Sequence, residues 1–354
     1  MNKIVLFIIL QLIVCTAFAQ TNKELALEKA KKAITIMDEG RIDESIKLLE
    51  ESQKLDPINY AYPYEIAYAH VLTKDYKQAL KILKKVKKYD TLNSQVYQMS
   101  GNCYSYLGKP EKAIREYEEG MERFPNAGNL HLEKGNVYHH QEQYDQAIVN
   151  YRRGIEVDPT FASNYFRLAK LYLDSPDKLS GLIYGEIFMN LERTTDRTIE
   201  MSELLYETYK SSITFGDTEI SIDFCEIVID ATKVNIDEPV NLPFCGVFGK
   251  NIILAIVEEK EITLNSLSRI RERFIENYYQ EDLSIHQNVL FTYQKELLDK
   301  NLFEAYNHYL FQIGNEKEYN EWLDTHQKEY DAFVEWYTNN ENTIDINTQN
   351  RFVK

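Results

Sequence analysis

His139 and His140 are the one adjacent imidazole pair in the chain, and with His131 they mark the first place to look for metal chemistry. Their spacing argues against it. Neighbours on a helix diverge by about 100°, and His131 lies more than two turns from His139, so the three are read as ordinary surface or groove residues. Cysteine is as sparse: Cys15, Cys103, Cys225 and Cys245 include no CxxC pair, which removes thioredoxin-type exchange and zinc knuckles. There is no GxSxG elbow, glycine-rich phosphate loop, HExxH or calcium loop. The chain therefore reads as a non-enzyme with no cofactor and no metal.

Aromatic rings are the remaining chemistry. Phe274, Tyr278, Phe291, Tyr293, Phe303, Tyr306, Tyr309, Phe311, Trp322, Phe333, Trp336 and Tyr337 crowd the C-terminal part. Clustered rings can make a carbohydrate platform, the alternative function carried here. Many recur at helical spacing, as Tyr306 and Tyr309 do, which suits core packing better.

The elements that position these residues follow one interval. Pro57, Thr91, Pro125 and Pro159 are each 34 residues apart. With repeats starting at Ala26, Tyr60, Ser94, Gly128 and Ala162, the eighth position reads Ala33, Ala67, Gly101, Gly135, Ala169, and the twentieth Ser45, Ala79, Ala113, Ala147, Gly181. Small residues let paired helices approach, while Tyr104, Tyr117, Tyr138 and Tyr151 fill the space between. Gly40, Gly108 and the polar stretches around Lys74 and Glu142 fall where each first helix must end. A fixed period of this length predicts a stacked helix-turn-helix array, whose use is docking.

These segments resemble the tetratricopeptide repeat family, most clearly in GNCYSYLGKPEKAIREYEEGMERFP and GNVYHHQEQYDQAIVNYRRGIEVDP. The resemblance covers about residues 24 to 193. It implies a mainly α fold, a helical solenoid of about five helix-turn-helix repeats, in which Gly101, Ala113, Gly135, Ala147, Pro125 and Pro159 are structural. It also implies a concave groove for a partner peptide or helix, which carried over here includes Tyr64, Tyr68, Gln98, Asn102, Tyr106, Asn136, His139, His140, Phe166 and Lys170. Asn102 and Asn136 would suit a bound backbone through their two-sided amides. Receptors of this family that clamp a terminal carboxylate use a different set. Of the matching positions Gln98, Asn102, Glu133, Ser163 and Arg167, only Asn102 and Arg167 agree, and Glu133 would repel that group.

Residues 1–19 read as a signal peptide: Lys3, an apolar run from Ile4 to Val14, then Ala17-Phe18-Ala19. Cleavage is expected after Ala19, giving a periplasmic or extracellular protein. Lipid anchoring through Cys15 is the weaker alternative, because Val14 stands where lipoprotein signals place a small residue. No other apolar stretch is long enough to span a bilayer. The net charge of −16 argues against nucleic acid as a partner. Lys74, Lys77, Lys81, Lys84, Lys85, Lys87 and Lys88 are read as a solvated face.

The expected order is a solenoid over 20–193, a capping helix over 194–213, and an irregular segment over 214–250. A mostly helical domain over 251–340 and a disordered tail over 341–354 follow. In the irregular segment, Glu219–Phe224 alternates like a strand, and Ile227–Ile229 with Val234 and Ile236 would complete a short β-hairpin. Cys225 and Cys245 are candidates for a disulfide there, while Cys103 is expected to be free and buried. The functional reading is an exported interaction scaffold that docks a protein partner in the repeat groove.

Overall fold

The computed structural model describes residues 3–216, 219–227, 242–282 and 286–354; for residues 3–20 and 281 it describes the backbone alone. The chain divides into two compact units, Met1–Ala147 and Ile148–Lys354.

The first unit is built of antiparallel helix pairs: α1 (Lys3–Asp38) with α2 (Ile42–Leu55), α3 (Ala61–Leu72) with α4 (Tyr76–Val86), and α5 (Gln95–Tyr106) with α6 (Pro110–Arg123). Next come α7 (Gly128–His140) and the start of α8 (Tyr144–Val157), a helix that continues into the second unit. Each pair packs on the next through α2 and α3, α4 and α5, and α6 and α7. The small residues sit at the contacts: Ala33, Ala67, Ala79 and Ala113 are fully buried, and Gly101 and Gly135 are buried. Gly101 cannot carry a side chain, because a Cβ there would lie 2.1 Å from Cε1 of Tyr117.

In the first unit, the first helix of each pair ends in one way. Gly40, Lys74, Gly108 and Glu142 all have positive φ, between 59° and 81°, and follow one another at the 34-residue interval. At each, the next residue's N–H reaches back to close the turn: Arg41 to Ile36, Asp75 to His70, Lys109 to Tyr104 and Gln143 to Tyr138, at 2.8–3.1 Å. This is the glycine-type helix stop. At Lys74 and Glu142 a residue with a Cβ has been forced into it.

The second unit opens with the rest of α8, then α9 (Ala162–Leu173), α10 (Lys178–Leu191) and α11 (Asp196–Ser212). Helix α10 is not a surface helix. Every residue from Leu179 to Asn190 is buried, with α9, α11 and α14 (Val289–Asp299) packed around it. The remaining helices are α12 (Phe244–Ile256), α13 (Leu264–Glu281), α15 (Phe303–Phe311) and α16 (Glu316–Thr338).

Several expectations are corrected here. The strand at Ile220–Ile222 (β2) pairs antiparallel with Ile213–Phe215 (β1), of which Ile213 had been read as the end of the capping helix. Its expected partners beyond Ile227 lie outside the described residues. Gly246 and Gly249, read as loop, lie inside α12. Trp322 and Trp336 lie on one helix, α16, kinked at His326. The tail is ordered: Ile344 and Ile346 are buried, and the Phe352 ring packs 5.1 Å from Tyr184. Asparagine-rich composition suggested otherwise, but buried isoleucines, the Phe352 ring and the Lys354–Asp177 pair hold it against the second unit. Cys225 and Cys245 are joined in a disulfide, and Cys103 is a free, buried thiol.

Candidate functional site

In the first unit, α3, α5 and α7 carry the residues assigned to the groove. Tyr68 is 41 % exposed, Leu72 46 % and Tyr106 62 %, so three large apolar side chains on α3 and α5 face solvent. The Tyr106 ring lies 5.0 Å from that of Tyr76, which braces it without covering it. Tyr64 differs. It packs against the core cluster of α3 to α7, and burial pushes its hydroxyl up to about 12. It supports the surface more than it forms it.

Deeper in, a ladder of amides ends on one carboxylate. Ser94 Oγ donates to Asn129 Oδ1 at 3.1 Å, Asn129 Nδ2 to Gln98 Oε1 at 2.8 Å, and Gln98 Nε2 to Glu133 Oε1 at 2.8 Å. Because a carboxylate only accepts, the direction of the ladder is fixed, and with it the orientation of both amides. Asn136 Nδ2 donates to Glu133 Oε2 at 3.2 Å, and Asn102 Nδ2 lies 3.5 Å from Oε1. Asn102 Oδ1 accepts from the Tyr117 hydroxyl at 2.6 Å. Asn102 and Asn136 are thus engaged in holding Glu133, and the ring of donors presents one fixed negative charge. The sequence marked Glu133 only as a group that would repel a carboxylate; its role as the hub needed two helices to be brought together.

His139 and His140 sit at the end of α7 with ring centroids 6.2 Å apart and edge-on, and His139 lies 5.5 Å from the Tyr144 ring. Among the described residues no group of three or more His, Cys, Asp or Glu side chains could hold a metal ion. The lysines on and around α4 are exposed except for Lys87, whose Nζ pairs with Glu116 at 2.5 Å and lies over the Tyr97 ring.

The other two assigned residues belong to the second unit. Phe166 is 6 % exposed, with its ring 5.0 Å from Phe188 of α10, so it is a core residue and not an open groove anchor. The reason is its neighbour: α10 is apolar on the side that Phe166 meets. Lys170 is exposed and paired with Glu200 of α11 at 2.5 Å. Of the twelve C-terminal aromatics, all but Tyr309 and Trp336 are buried. The buried ten make the core of this unit.

The second unit also holds a charged centre that no motif announced. The Arg271 guanidinium donates to both oxygens of Glu186, at 2.5 and 2.6 Å, and to Asn307 Oδ1 at 2.5 Å. Glu186 also accepts from Gln294 Nε2 at 2.6 Å and the Tyr306 hydroxyl at 2.8 Å. Both charges are almost fully buried, so partners on every side are what make the burial tolerable.

Family models for tetratricopeptide repeats match residues 37–103 and 94–126, and a TPR repeat model matches 135–175. Residues 37–175 carry tetratricopeptide repeats. Among solved structures, the repeat region is similar to MamA from Desulfovibrio magneticus RS-1, at 18% identity and TM-score 0.37, covering 48% of this chain and 97% of that one. It is similar to TTC0263, a TPR protein of Thermus thermophilus, at 20% identity and TM-score 0.42, covering 51% and 98%. PilF of Pseudomonas aeruginosa matches at 14% identity and TM-score 0.44, covering 54% and 86%. The tetratricopeptide fold supports an interaction scaffold, a class that is generally non-enzymatic.

Proposed function

We propose that this protein is an exported interaction scaffold whose first unit docks a peptide or helix of a partner protein across α3, α5 and α7. The observation that carries this reading is the run of exposed large apolar side chains, Tyr68, Leu72 and Tyr106, on helices whose other faces are buried. Rings held at one edge and open at the other are the anchors on which interface energy concentrates. Glu133 sets the sign of the polar contact: its carboxylate favours a lysine or arginine on the partner and disfavours a carboxyl terminus. Export rests on the signal-type N-terminus, with Gln20 as the first mature residue. Mass spectrometry of protein from the producing cell tests that part, and an acylated N-terminus at Cys15 would contradict it.

The docking part is tested on an array of peptides pairing an aliphatic or aromatic residue with a nearby lysine. Tyr68→Ala with Tyr106→Ala should abolish binding to the selected peptides while changing the stability of the unit by less than about 1 kcal/mol, as exposed positions do. Glu133→Gln should weaken the lysine-bearing peptides selectively. Binding that survives the double tyrosine variant removes the groove from the reading.

A further inference from the structure

The second unit contains a cavity of about 530 Å³ whose walls include Leu179, Phe244, Asn288, Val289, Arg351 and Phe352. The volume is that of small-molecule sites, and the lining is mixed: Leu179, Phe244, Val289 and Phe352 make an apolar wall, while polar and charged side chains make the rest. Two of those polar groups are unsatisfied. Asn288 is 4 % exposed and caps α14: its Oδ1 accepts from Leu290 N at 3.0 Å. Only an oxygen can accept there, so the amide orientation is fixed and the nitrogen is the free end. That Nδ2 is buried and, among the described residues, has no acceptor. Arg351 Nε, from the ordered tail, is buried in the same condition. Both residues also line an adjoining cavity of about 510 Å³.

Two buried donors with no acceptor among the described residues, one of them on a cation and the other at a helix N-terminus, call for an anionic oxygen. The acidic groups on the cavity limit its charge: Asp177 is already paired with Lys354, and Glu226 lines the cavity from an exposed position. A single negative charge fits this set and a polyanion does not. We propose that this cavity binds a small monocarboxylate with an apolar body. The carboxylate accepts from Asn288 Nδ2 and the Arg351 guanidinium, and the body lies against Phe244, Val289 and Phe352. This site is independent of the repeat groove and of the partner proposed for it.

The test uses the full chain with octanoate and 3-phenylpropanoate as probes and octanol as the uncharged control, read by titration calorimetry and thermal shift. Saturable one-site binding of either acid is expected, with octanol weaker by about tenfold or more. Asn288→Asp keeps an oxygen to cap Leu290 but replaces the donor with a charge that repels the ligand; Arg351→Gln removes the cation from the tail. Each should weaken the acid by about tenfold or more with unchanged circular dichroism. Should Asn288→Asp disturb folding, Arg351→Gln decides alone. No saturable binding of either acid at millimolar concentration overturns the proposal. So does equal binding of octanol, which would make the cavity merely apolar, or acid binding that neither variant weakens.

Discussion

Helices α4 and α10 hold the same place in their repeats, the second helix of a pair, and meet opposite fates. In α4 only Ala79, Leu83 and Val86 are buried, and lysines occupy much of the rest. In α10 twelve consecutive residues are buried. A repeat remains an open docking module only while the far face of its second helix is polar. Once that face turns apolar, as in Leu182, Ile183, Ile187 and Phe188, the helix becomes a core for whatever follows it. The groove position on its partner helix, Phe166, is drawn in with it. The one charge in the buried run of α10, Glu186, is then met by an arginine from another helix.

The largest effect should come from breaking that pair. Arg271→Met leaves Glu186 buried without a cation and should cost about 3–5 kcal/mol in urea unfolding. The double replacement Glu186→Leu with Arg271→Met should cost less than the single one, since no charge is then left unpaired. A single-variant loss below about 1 kcal/mol would mean that the amides and Tyr306 hold Glu186 without help.

Gly101→Ala probes the first unit at its tightest contact, where the added Cβ meets the Tyr117 ring. The expected loss is about 1–3 kcal/mol by overpacking. A neutral result would show that the pair of helices can slide apart, which α10, enclosed on all sides, could not do.

His308 gives the second unit a pH dependence. Burial holds its imidazole below the ordinary value of 6.5, partly offset by its hydrogen bond to the Glu304 carbonyl and by the Glu304 carboxylate. The ring is fully buried and stacks 4.0 Å from Trp322. The unfolded chain therefore takes up this proton first. The stability that neutral His308 contributes is whole above pH 6.5 and is lost as pH falls through that value towards the lower folded one. One proton limits the slope to about 1.4 kcal/mol per pH unit. His308→Asn should flatten the profile in that window relative to the parent protein, as read by thermal melts across pH; an unchanged slope would acquit the residue.

The smallest effect tests the shared helix stop. Lys74→Gly and Glu142→Gly should each stabilise by about 0.5–1 kcal/mol, because glycine adopts positive φ without the steric cost of a Cβ. Chemical denaturation resolves a change of this size when the variants are combined. Destabilisation would mean that these side chains make contacts worth more than the strain.

How much of this was legible varies with the range of the interaction. The repeat period, the small positions from Ala33 to Ala113 and the helix stops at Gly40 and Gly108 are local rules of spacing and backbone freedom, and they could be read directly. Tyr68 and Tyr106 were assigned to a groove from the family resemblance, and both are exposed. The burial of Phe166 could not be read in this way, since it depends on what α10 presents to it. Asn102 and Asn136 looked free because their partner, Glu133, stands on a different helix or a turn away. Ile213, the first residue of β1, was taken for helix because it continues the apolar spacing of α11; pairing with Ile222 overrode that local preference.

The sequence by itself determined the solenoid: a period of 34 residues, repeated with small residues at fixed places, leaves a chain few ways to bury its apolar faces other than stacking like on like. Only the tertiary structure decided where that pattern stops being a surface. It enclosed α10, joined Glu186 to Arg271 across 85 residues of sequence, and brought Asn288 and Arg351 to one cavity. Those outcomes rest on contacts between distant segments, whose strength depends on desolvation and geometry that no local pattern records.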